Sequence, residues 1–366
     1  MFKIGTLNKI SAKGMALLDE KYTVTDEISE ANGILVRSQD MHSMDFSGNL
    51  KAIARAGAGV NNIPLDKCAE QGIVVFNTPG ANANAVKELV IAGLFLAARN
   101  IPSALSWAAT LTEDVSAKVE KGKSQFAGGE ILGKTLGVVG LGAIGRKVAL
   151  SAQALGMAVC GYDPYYAGGL EEANIFESVE EMLPHCDYVT IHVPATSGTT
   201  GMFNKDLFDK MKDGTVLLNF SRDKLVKDAD LLEAIEAGKV SCYVTDFPND
   251  ALVGKDKVIL LPHLGASTEE AEDNCATMAV AQVMDYLENG NIVNSVNFPK
   301  VDMGPADGGR VGIFTKGVAD PVAQIKAKVG DVEVAGGVRG DFGYVLVNAA
   351  EVPEDLGDGV IKTVKF

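Results

Sequence analysis

The sequence predicts an α/β protein with two doubly wound parallel sheets and a small α+β module after them. Three observations support this fold class. Short apolar runs alternate with helical patterns over residues 1–100. A second series of apolar runs recurs at βα spacing over residues 136–266. The last stretch, residues 310–366, combines one helical pattern with several short strand-like runs.

Composition narrows the functional classes. The 366 residues suit two or three domains, and 47% hydrophobic with 22% charged residues is typical of a globular protein. A net charge of −15 argues against nucleic acid or an anionic membrane as a partner. The five cysteines lack metal-ligand spacing, so we expect no metal site and free, buried thiols in a reducing cytosol.

The first part of the chain is predicted to form an open parallel sheet with connecting helices. The predicted strands are Lys3–Leu7, Gly33–Val36, Ala52–Arg55 and Ile73–Phe76. The predicted helices are Ser11–Glu20, Pro64–Gln71, Ala85–Ala98 and Ser103–Glu120. A glycine-rich loop over residues 121–133 leads into the second series of strands.

A glycine-rich turn carries the most specific signal. The segment T-L-G-V-V-G-L-G-A-I-G has G-x-G-x-x-G spacing directly after the apolar run Leu136–Val139 and opens a helical pattern. In a βαβ unit Gly140 permits the tight turn, Gly142 lets a pyrophosphate approach the backbone, and Gly145 lets helix and strand pack closely. The motif predicts a dinucleotide-binding Rossmann unit; the alternative is a structural turn without a ligand.

Asp163 ends the next apolar run, M-A-V-C-G-Y-D, about 20 residues after the glycines. A carboxylate at this position accepts hydrogen bonds from ribose hydroxyls and repels a 2′-phosphate. The residues that follow, Pro164, Tyr165 and Tyr166, include no arginine to bind such a phosphate. The predicted cofactor is therefore NAD rather than NADP.

Further strand-like runs complete the second sheet. They are Ala158–Tyr162, Tyr188–His192, Thr215–Asn219, Cys242–Asp246 and Val258–Leu261. Ser267 and Glu270 then form a capping-box pattern for a helix that reaches about Asn289. We expect its apolar stripe to pack on the first domain, which would make the nucleotide domain an insertion. The stripe comprises Ala271, Cys275, Met278, Val283 and Leu287.

The predicted division of the chain follows from these elements. Residues 1–101 and 267–300 form a substrate-binding domain, and residues 102–266 form the NAD-binding domain. A linker rich in glycine, proline and aspartate spans Val301–Gly309. Residues 310–366 form the α+β module. Its predicted elements are Val311–Thr315, Asp320–Val329, Val332–Val338, Gly343–Asn348 and Val360–Phe366.

Two side chains at strand ends suit chemistry on a hydroxy or keto acid. His263 follows the last strand of the second sheet, where an imidazole can act as general acid/base beside a nicotinamide. Arg222 follows another strand and can hold an α-carboxylate bidentately. Asp246 and Asp250 compete to orient His263, and the residues alone leave this choice open. We expect His192 to be structural or to line the cofactor.

The segment R-A-G-A-G-V-N-N suits an anion. Gly57, Ala58 and Gly59 are predicted to expose successive backbone N–H groups as a nest for a carboxylate. Arg37 and Arg55 end two strands and are predicted to face the same cleft. Two arginines and a nest predict a substrate with more than one negative charge; a turn with two surface arginines is the alternative.

Together these motifs resemble those of the D-isomer-specific 2-hydroxyacid dehydrogenases. The similarity runs from Val36 to about Asn297, through R-A-G-A-G-V-N-N-I, N-T-P-G-A-N, the glycine motif, N-F-S-R and P-H-L-G-A-S-T. The resemblance implies a flavodoxin-like substrate domain, an inserted Rossmann domain and a triad of Arg222, an acid and His263. Alignment on Phe247 places Asp250 at the family's glutamate and thereby favours Asp250 over Asp246.

The resemblance also implies a wider set of cofactor contacts and two departures from the family pattern. Thr245 stands where the family has an aspartate that contacts the nicotinamide, and Asp223 stands where it has glycine. The implied cofactor-binding residues are Gly140, Gly142, Ala143, Ile144, Gly145, Asp163, Pro194, Asn219, Phe220, Ser221, Asp246, His263 and Gly265. The implied substrate-binding residues are Arg37, Arg55, Gly57, Ala58, Gly59 and Arg222.

The family members that oxidise D-3-phosphoglycerate in serine biosynthesis look most similar to this sequence. The resemblance therefore implies NAD-dependent oxidation of a phosphorylated 2-hydroxy acid in the cytoplasm by a homodimer or larger homo-oligomer. The alternatives are another reductase of the family, for glyoxylate or hydroxypyruvate, and a non-catalytic NAD(H)-sensing protein. The tail resembles a shortened ACT domain in which Phe314 and Lys316 replace polar ligand-binding positions, so we expect no inhibition by serine.

Overall fold

The computed structural model describes residues 1–366, and the chain divides into two compact units. Unit 1 comprises Met1–Asn82 and Glu269–Phe366, and unit 2 comprises Ala83–Thr268. The chain therefore leaves unit 1 once and returns to it once. Each unit is built on its own parallel sheet, and unit 1 carries a further antiparallel sheet near the C-terminus.

The parallel sheet of unit 1 has five strands in the order β2-β1-β3-β4-β5. This is the order of flavodoxin-like doubly wound sheets. The strands are β1 Phe2–Thr6, β2 Tyr22–Thr25, β3 Gly33–Val36, β4 Ala52–Arg55 and β5 Val74–Phe76. The connecting helices are α1 Ala12–Met15 and α2 Leu65–Glu70. Every residue of β3 is buried, as expected for a central parallel strand covered on both faces.

Two details of this region differ from the prediction. The edge strand β2 was missed, since its polar sequence Y-T-V-T gives little apolar signal. Helix α1 is shorter than the predicted Ser11–Glu20. The Ser11 side chain caps its start by accepting the Lys13 N–H at 3.2 Å. A turn in which the Asp19 carboxylate accepts the Lys21 N–H at 2.9 Å then replaces the predicted last turn.

Unit 2 contains a parallel sheet of seven strands in the order β12-β11-β10-β9-β6-β7-β8. Its first six positions from β8 follow the Rossmann order 3-2-1-4-5-6. The helices are α3 Ala83–Ala98, α4 Ile101–Ala108, α5 Val115–Gly122, α6 Ala143–Ala154, α7 Val179–Met182, α8 Lys205–Lys210 and α9 Asp228–Glu236. The strands are β6 Thr135–Val139, β7 Ala158–Tyr162, β8 Ala173–Ile175, β9 Tyr188–Ile191, β10 Thr215–Asn219, β11 Val240–Thr245 and β12 Val258–Leu260.

Helix α3 belongs to unit 2, so the first boundary lies at residue 82/83 rather than at 101/102. Its buried residues Val90 and Leu94 share one apolar cluster with Val138 of β6 and Leu218 of β10. The helix also packs against α6. Burial of this apolar face outweighs the continuity of the helix with the preceding sheet in sequence.

The helix predicted over Ser103–Glu120 is two helices, α4 and α5. They are separated by residues 109–114, and Asp114 has the left-handed value φ 47°. The β-branched Thr110 and Thr112 lie in this break, where the Thr110 hydroxyl donates to the Trp107 carbonyl at 2.7 Å. No single helix is long and apolar enough to cross a membrane, and only α3 with α4, bent by 69°, passes that test as a pair.

Helix α10, Glu269–Asn289, returns the chain to unit 1. It packs on α1, β3 and β4. Ala271, Cys275, Val283 and Leu287 of the predicted stripe are buried, and Met278 is half-buried. The helix begins two residues after Ser267, whose hydroxyl instead lies 3.4 Å from the His263 carbonyl oxygen.

The C-terminal segment forms an antiparallel sheet in the order β14-β15-β13-β16 with one helix on it. Its elements are β13 Val311–Lys316, α11 Pro321–Val329, β14 Val334–Arg339, β15 Phe342–Val347 and β16 Val360–Lys365. Alternate residues of β13 face opposite sides. Ile313 packs with Ile325 of α11, whereas Phe314 joins the core that contains Phe76 and Phe298. The tail therefore shares a core with the parallel sheet of unit 1.

The predicted linker Val301–Gly309 is tied down by a buried arginine. Arg310 is 2% exposed. Its guanidinium donates to the carbonyl oxygens of Gly304, Met303 and Pro305 at 2.9, 3.2 and 3.1 Å. It also donates to the carbonyl of Asn289 at the end of α10, at 2.9 Å. Main-chain oxygens thus replace a carboxylate partner and fix the tail to α10.

We expect Arg310→Met to destabilise unit 1 by roughly 3 kcal/mol, because several buried carbonyls lose their donor. Chemical denaturation of the full chain measures this loss, and limited proteolysis should cut within residues 301–309. Lys326→Met is the control, since Lys326 is exposed on α11. Equal stability of the two variants would contradict the role given to Arg310.

Candidate active site

The glycine turn of unit 2 has the geometry that its spacing predicts. Gly140 has φ 95°, and a Cβ there would lie 2.6 Å from the His192 carbonyl oxygen. A Cβ on Gly145 would lie 1.9 Å from the Gly140 carbonyl oxygen, so helix α6 reaches the strand only without a side chain. A Cβ on Gly142 would meet no atom within 4 Å. The backbone at Gly142 is therefore open to a ligand at the start of α6.

Asp163 joins the end of β7 to this turn. One carboxylate oxygen accepts the Leu141 N–H at 2.8 Å, and the other accepts the Tyr165 N–H at 2.8 Å. The carboxylate is thereby fixed beside the glycine turn and keeps lone pairs that can accept hydroxyl donors.

Hydrogen bonds between neighbouring loops fix the carboxyl edge of the unit 2 sheet. The Ser221 hydroxyl donates to the Val193 carbonyl at 2.6 Å, which links the ends of β10 and β9. The buried Asn219 amide donates to the Arg222 carbonyl at 2.8 Å. The Thr245 hydroxyl donates to the Asn219 carbonyl at 2.7 Å and links β11 to β10. The loop that carries Arg222 is therefore held on two sides.

Asp246 is the buried carboxylate of this edge, with 1% exposure. One of its oxygens accepts the Gly265 N–H at 2.8 Å, and the other has no hydrogen-bond partner. Burial raises the pKa of the Asp246 carboxyl from its ordinary value of 3.8, while the Gly265 N–H and the nearby His263 and Arg222 oppose this rise. His263 and Arg222 are therefore the two cations whose charges affect the pKa of Asp246.

His263 is exposed and has a left-handed backbone, with φ 51°. Such a conformation costs a non-glycine residue on the order of 1 kcal/mol. The His263 N–H donates to the carbonyls of Asp246 and Leu261 at 2.9 and 3.0 Å, which holds the strained residue. The Phe247 ring lies 4.9 Å from the imidazole, centroid to centroid, and restricts its orientation.

The environment of Asp250 differs from that of Asp246. Asp250 is exposed, whereas Asp246 is buried, and the charge of His263 is among those that oppose the rise in the pKa of Asp246. The sequence favoured Asp250 because its spacing from Phe247 matches the family glutamate. Because Asp246 is buried at the sheet edge and holds the His263 loop, we propose Asp246 rather than Asp250 as the acid of the triad. Thr245 is buried and uses its hydroxyl within the sheet, whereas Asp223 is exposed at the start of a 3₁₀ turn.

His192 is suited to a neutral structural role. Burial lowers the pKa of His192 to about 3, so the imidazole is neutral at physiological pH. One ring nitrogen lies 2.9 Å from the Thr190 hydroxyl, and the other is buried without a partner.

The remaining candidates of unit 2 divide by exposure. Ala143 and Pro194 are exposed, and Ile144 is half-buried. The Phe220 side chain is buried against α3, where it lies close to Gly93, so only its backbone can serve a cofactor.

In unit 1 the two arginines lie beside the predicted nest. The nest is smaller than predicted, because the Gly57 N–H is used within the chain. The Arg55 side chain donates to the Arg37 carbonyl at 3.0 Å, which couples the two strand ends. The Gly57 N–H donates to the Arg55 carbonyl at 2.9 Å, so it is not available to a ligand. The N–H groups of Ala58 and Gly59 donate to no carbonyl of the chain and form the remainder of the predicted nest.

Sequence reasoning missed Glu272 beside these arginines. A Glu272 carboxylate oxygen lies 2.6 Å from a terminal nitrogen of the Arg37 guanidinium. The two residues are more than 200 positions apart in sequence, and a glutamate in the first turn of a helix is ordinary. The fold was needed to bring α10 to the end of β3.

The sequence and the fold are similar to those of known dehydrogenases. Residues 92–265 match the model described as D-isomer specific 2-hydroxyacid dehydrogenase, NAD binding domain. A curated D-3-phosphoglycerate dehydrogenase from Archaeoglobus fulgidus is 35% identical over 326 residues, which are 86% of this chain and 59% of that relative. The NAD+-bound structure of 3-phosphoglycerate dehydrogenase from Entamoeba histolytica is similar with TM-score 0.65 and 27% identity, covering 81% of this chain and 98% of that one.

Residues 92–265 therefore match the NAD-binding domain of the D-isomer-specific 2-hydroxyacid dehydrogenase family. The predicted resemblance to this family and the predicted NAD-binding domain are thereby confirmed. A NADPH-dependent glyoxylate/hydroxypyruvate reductase from Sinorhizobium meliloti shares the fold, with TM-score 0.71, 23% identity and coverage of 81% and 98% of the two chains. The chain spans 51% to 59% of the length of the curated relatives that it matches.

The residues present fit a dinucleotide. The open backbone at Gly142 and the start of α6 suit a pyrophosphate, and the fixed Asp163 carboxylate suits ribose hydroxyls. The unpartnered oxygen of Asp246 leaves a buried acceptor at the same sheet edge.

Gly142→Ala and Gly145→Ala are expected to fail in different ways. A methyl group at Gly142 has room in the fold but occupies the approach of a pyrophosphate, so stability should change by less than about 0.5 kcal/mol. NAD affinity, measured by calorimetry, should fall at least about tenfold. The methyl group at Gly145 would overlap the Gly140 carbonyl and should lower stability by about 2 kcal/mol or more. Unchanged NAD affinity in Gly142→Ala would contradict this site.

Proposed function

We propose that the protein oxidises D-3-phosphoglycerate to 3-phosphohydroxypyruvate with NAD, the first step of L-serine biosynthesis. The observation that carries the proposal is the buried Asp246, which accepts the N–H groups of Gly265 and His263 and so holds the loop of His263 at the sheet edge. Similarity to curated D-3-phosphoglycerate dehydrogenases over most of this chain supports the choice of substrate.

Residues of unit 2 account for the chemical step. NAD would be held by the glycine turn and Asp163, and it supplies the hydride acceptor. Arg222 binds the substrate carboxylate and polarises the adjacent carbon. An imidazole nitrogen of His263 takes the proton of the substrate hydroxyl as the hydride leaves the carbon that bears this hydroxyl. The negative charge of Asp246 stabilises the imidazolium that forms.

Residues of unit 1 account for the preference for a phosphorylated acid. We propose that Arg37 and Arg55 bind the phosphate and that the N–H groups of Ala58 and Gly59 bind a further anionic oxygen. Gly57 shapes this turn without donating to the ligand, because its N–H is bonded to Arg55. The fixed Asp163 beside the turn supports NAD over NADP.

A second candidate is an unphosphorylated 2-hydroxy acid, as used by a glyoxylate or hydroxypyruvate reductase. The observation that favours it is the ion pair of Arg37 with Glu272, which reduces the positive charge available to a phosphate.

We further propose that the protein is a cytoplasmic homo-oligomer. Residues 99–130 contain no buried residue, although Leu105 and the tilted ring pair of Trp107 and Phe126 are apolar. A second copy of this chain is the proposed partner of this surface. The five free cysteines, four of them buried, support a reducing compartment. The C-terminal strand order also supports a shortened ACT-like module with a role in assembly.

Steady-state assays with NAD test the substrate. We expect turnover of D-3-phosphoglycerate and much slower turnover of D-glycerate. Arg37→Ala should lower kcat/KM for the phosphorylated acid about 10- to 100-fold, because a charged hydrogen bond is lost, and should leave D-glycerate nearly unchanged.

Lys300→Ala is the control for that assay, because Lys300 is an exposed cation of unit 1. Turnover of D-glycerate or glyoxylate alone would reject the phosphorylated substrate and favour the second candidate.

Asp246→Asn is expected to separate activity from stability. Loss of the charge beside His263 should lower kcat about 10²- to 10⁴-fold. The amide oxygen still accepts the Gly265 N–H, and the variant avoids a buried charge, so it should be more stable than the wild type at pH 7. Asp250→Asn, in an exposed position, should leave both quantities nearly unchanged.

The stability difference should depend on pH in a defined direction. Because folding raises the pKa of Asp246, the folded wild type binds more protons than the unfolded chain just above pH 3.8. Asp246 therefore lowers stability as pH rises through its folded pKa, and the variants should converge below pH 3.8. Denaturation curves at several pH values measure this, and a difference that grows toward acid pH would contradict it.

A further inference from the structure

The Glu272 carboxylate forms an ion pair with the Arg37 guanidinium, and this pair is exposed to solvent. The two charged groups are 2.6 Å apart, and the side chains of Arg37 and Glu272 are 42% and 44% exposed. Exposed pairs of this kind contribute little to stability and exchange readily with dissolved ions. An anion with two charges therefore competes with Glu272 for the same donor.

The backbone around Arg37 is fixed, so exchange requires movement of side chains alone. The N–H groups of Arg37, Ser38 and Gln39 all donate to the Asn8 side-chain oxygen, at 2.9, 2.9 and 3.0 Å. The Arg37 carbonyl accepts the Arg55 side chain at 3.0 Å. The Arg55 side chain is thus held beside the Arg37 backbone before any ligand binds.

Glu272 differs from the other carboxylates at the start of α10. Asp273 forms an ion pair with Lys13 and a hydrogen bond with Ser11. The charges of Glu269 and Glu270 also help to raise the pKa of Lys13. Only Glu272 of this group pairs with Arg37. Burial raises the pKa of the Cys275 thiol, one turn later in α10, and the charges of Arg55 and Arg37 oppose this rise.

We propose that Glu272 is an internal competitor for the phosphate group of the substrate at Arg37 and Arg55. It neutralises Arg37 in the absence of the anion, is displaced when the phosphate binds, and repels a dianion more strongly than a singly charged acid. Glu272 therefore sets the affinity for the phosphorylated substrate and promotes its release. The inference rests on the proposed function for the identity of that anion.

The test measures anion binding to the full chain by calorimetry without NAD. The probes are inorganic phosphate, D-3-phosphoglycerate and D-glycerate. Glu272→Gln should bind both phosphate-containing probes about three- to tenfold more tightly than the wild type at low salt, and D-glycerate within about twofold. The gain should shrink in about 1 M salt, because screening weakens exposed charge interactions.

Glu270→Gln is the matched control, since it removes the same charge from the same helical turn without removing the partner of Arg37. It should change affinity by less than about twofold. In Arg37→Gln with Glu272→Gln the gain should disappear. Weaker or equal phosphate binding by Glu272→Gln, an equal gain in Glu270→Gln, or no phosphate binding by any variant would overturn the proposal.

The readout separates this inference from the proposed function. Tighter phosphate binding by Glu272→Gln in a protein that does not oxidise D-3-phosphoglycerate would reject the proposed reaction and retain the competitor role. Normal oxidation with no change in KM or phosphate affinity would do the reverse. Melting temperatures of Glu272→Gln and Glu270→Gln within about 2 °C of the wild type would show that both variants fold normally.

Discussion

The chemistry at the carboxyl edge of the unit 2 sheet depends on one buried carboxylate. Asp246 accepts the Gly265 N–H with its side chain and the His263 N–H with its main chain, so both ends of one short loop are attached to the residue that follows β11. Burial makes this charge costly, and a cost of this kind is typical of functional sites. The loop that it holds includes His263 in a strained backbone conformation, which the two N–H bonds and the Phe247 ring maintain.

The two units contribute different physical properties to the proposed reaction. Unit 2 supplies an open glycine turn and a set of cross-linked strand ends, which suit a dinucleotide and proton transfer. Unit 1 supplies Arg37 and Arg55, held on a fixed backbone and partly neutralised by Glu272. The tail is part of unit 1 because Arg310 and a shared apolar core attach it.

Spacing along the chain was sufficient to predict features that depend on local geometry. The roles of Gly140, Gly142 and Gly145 follow from one turn, and the positions of Arg222 and His263 follow from strand ends of a parallel sheet. Features that depend on long-range packing were not predictable. Alignment on Phe247 favoured Asp250, and sequence spacing alone could not show that Asp246 is buried and Asp250 exposed. The pairing of Glu272 with Arg37, the attachment of α3 to unit 2 and the binding of linker carbonyls by Arg310 all require contacts between distant segments.

The most direct test of the proposed chemistry follows an isotope through a single turnover. D-3-phosphoglycerate carrying deuterium at the carbinol carbon is mixed with NAD and excess enzyme, and the reduced cofactor is analysed by mass spectrometry. If the residues at the sheet edge direct hydride transfer as proposed, one deuterium per turnover appears in the reduced nicotinamide and the His263→Ala variant transfers almost none. Deuterium released to solvent, or undiminished transfer by the variant, would contradict the account.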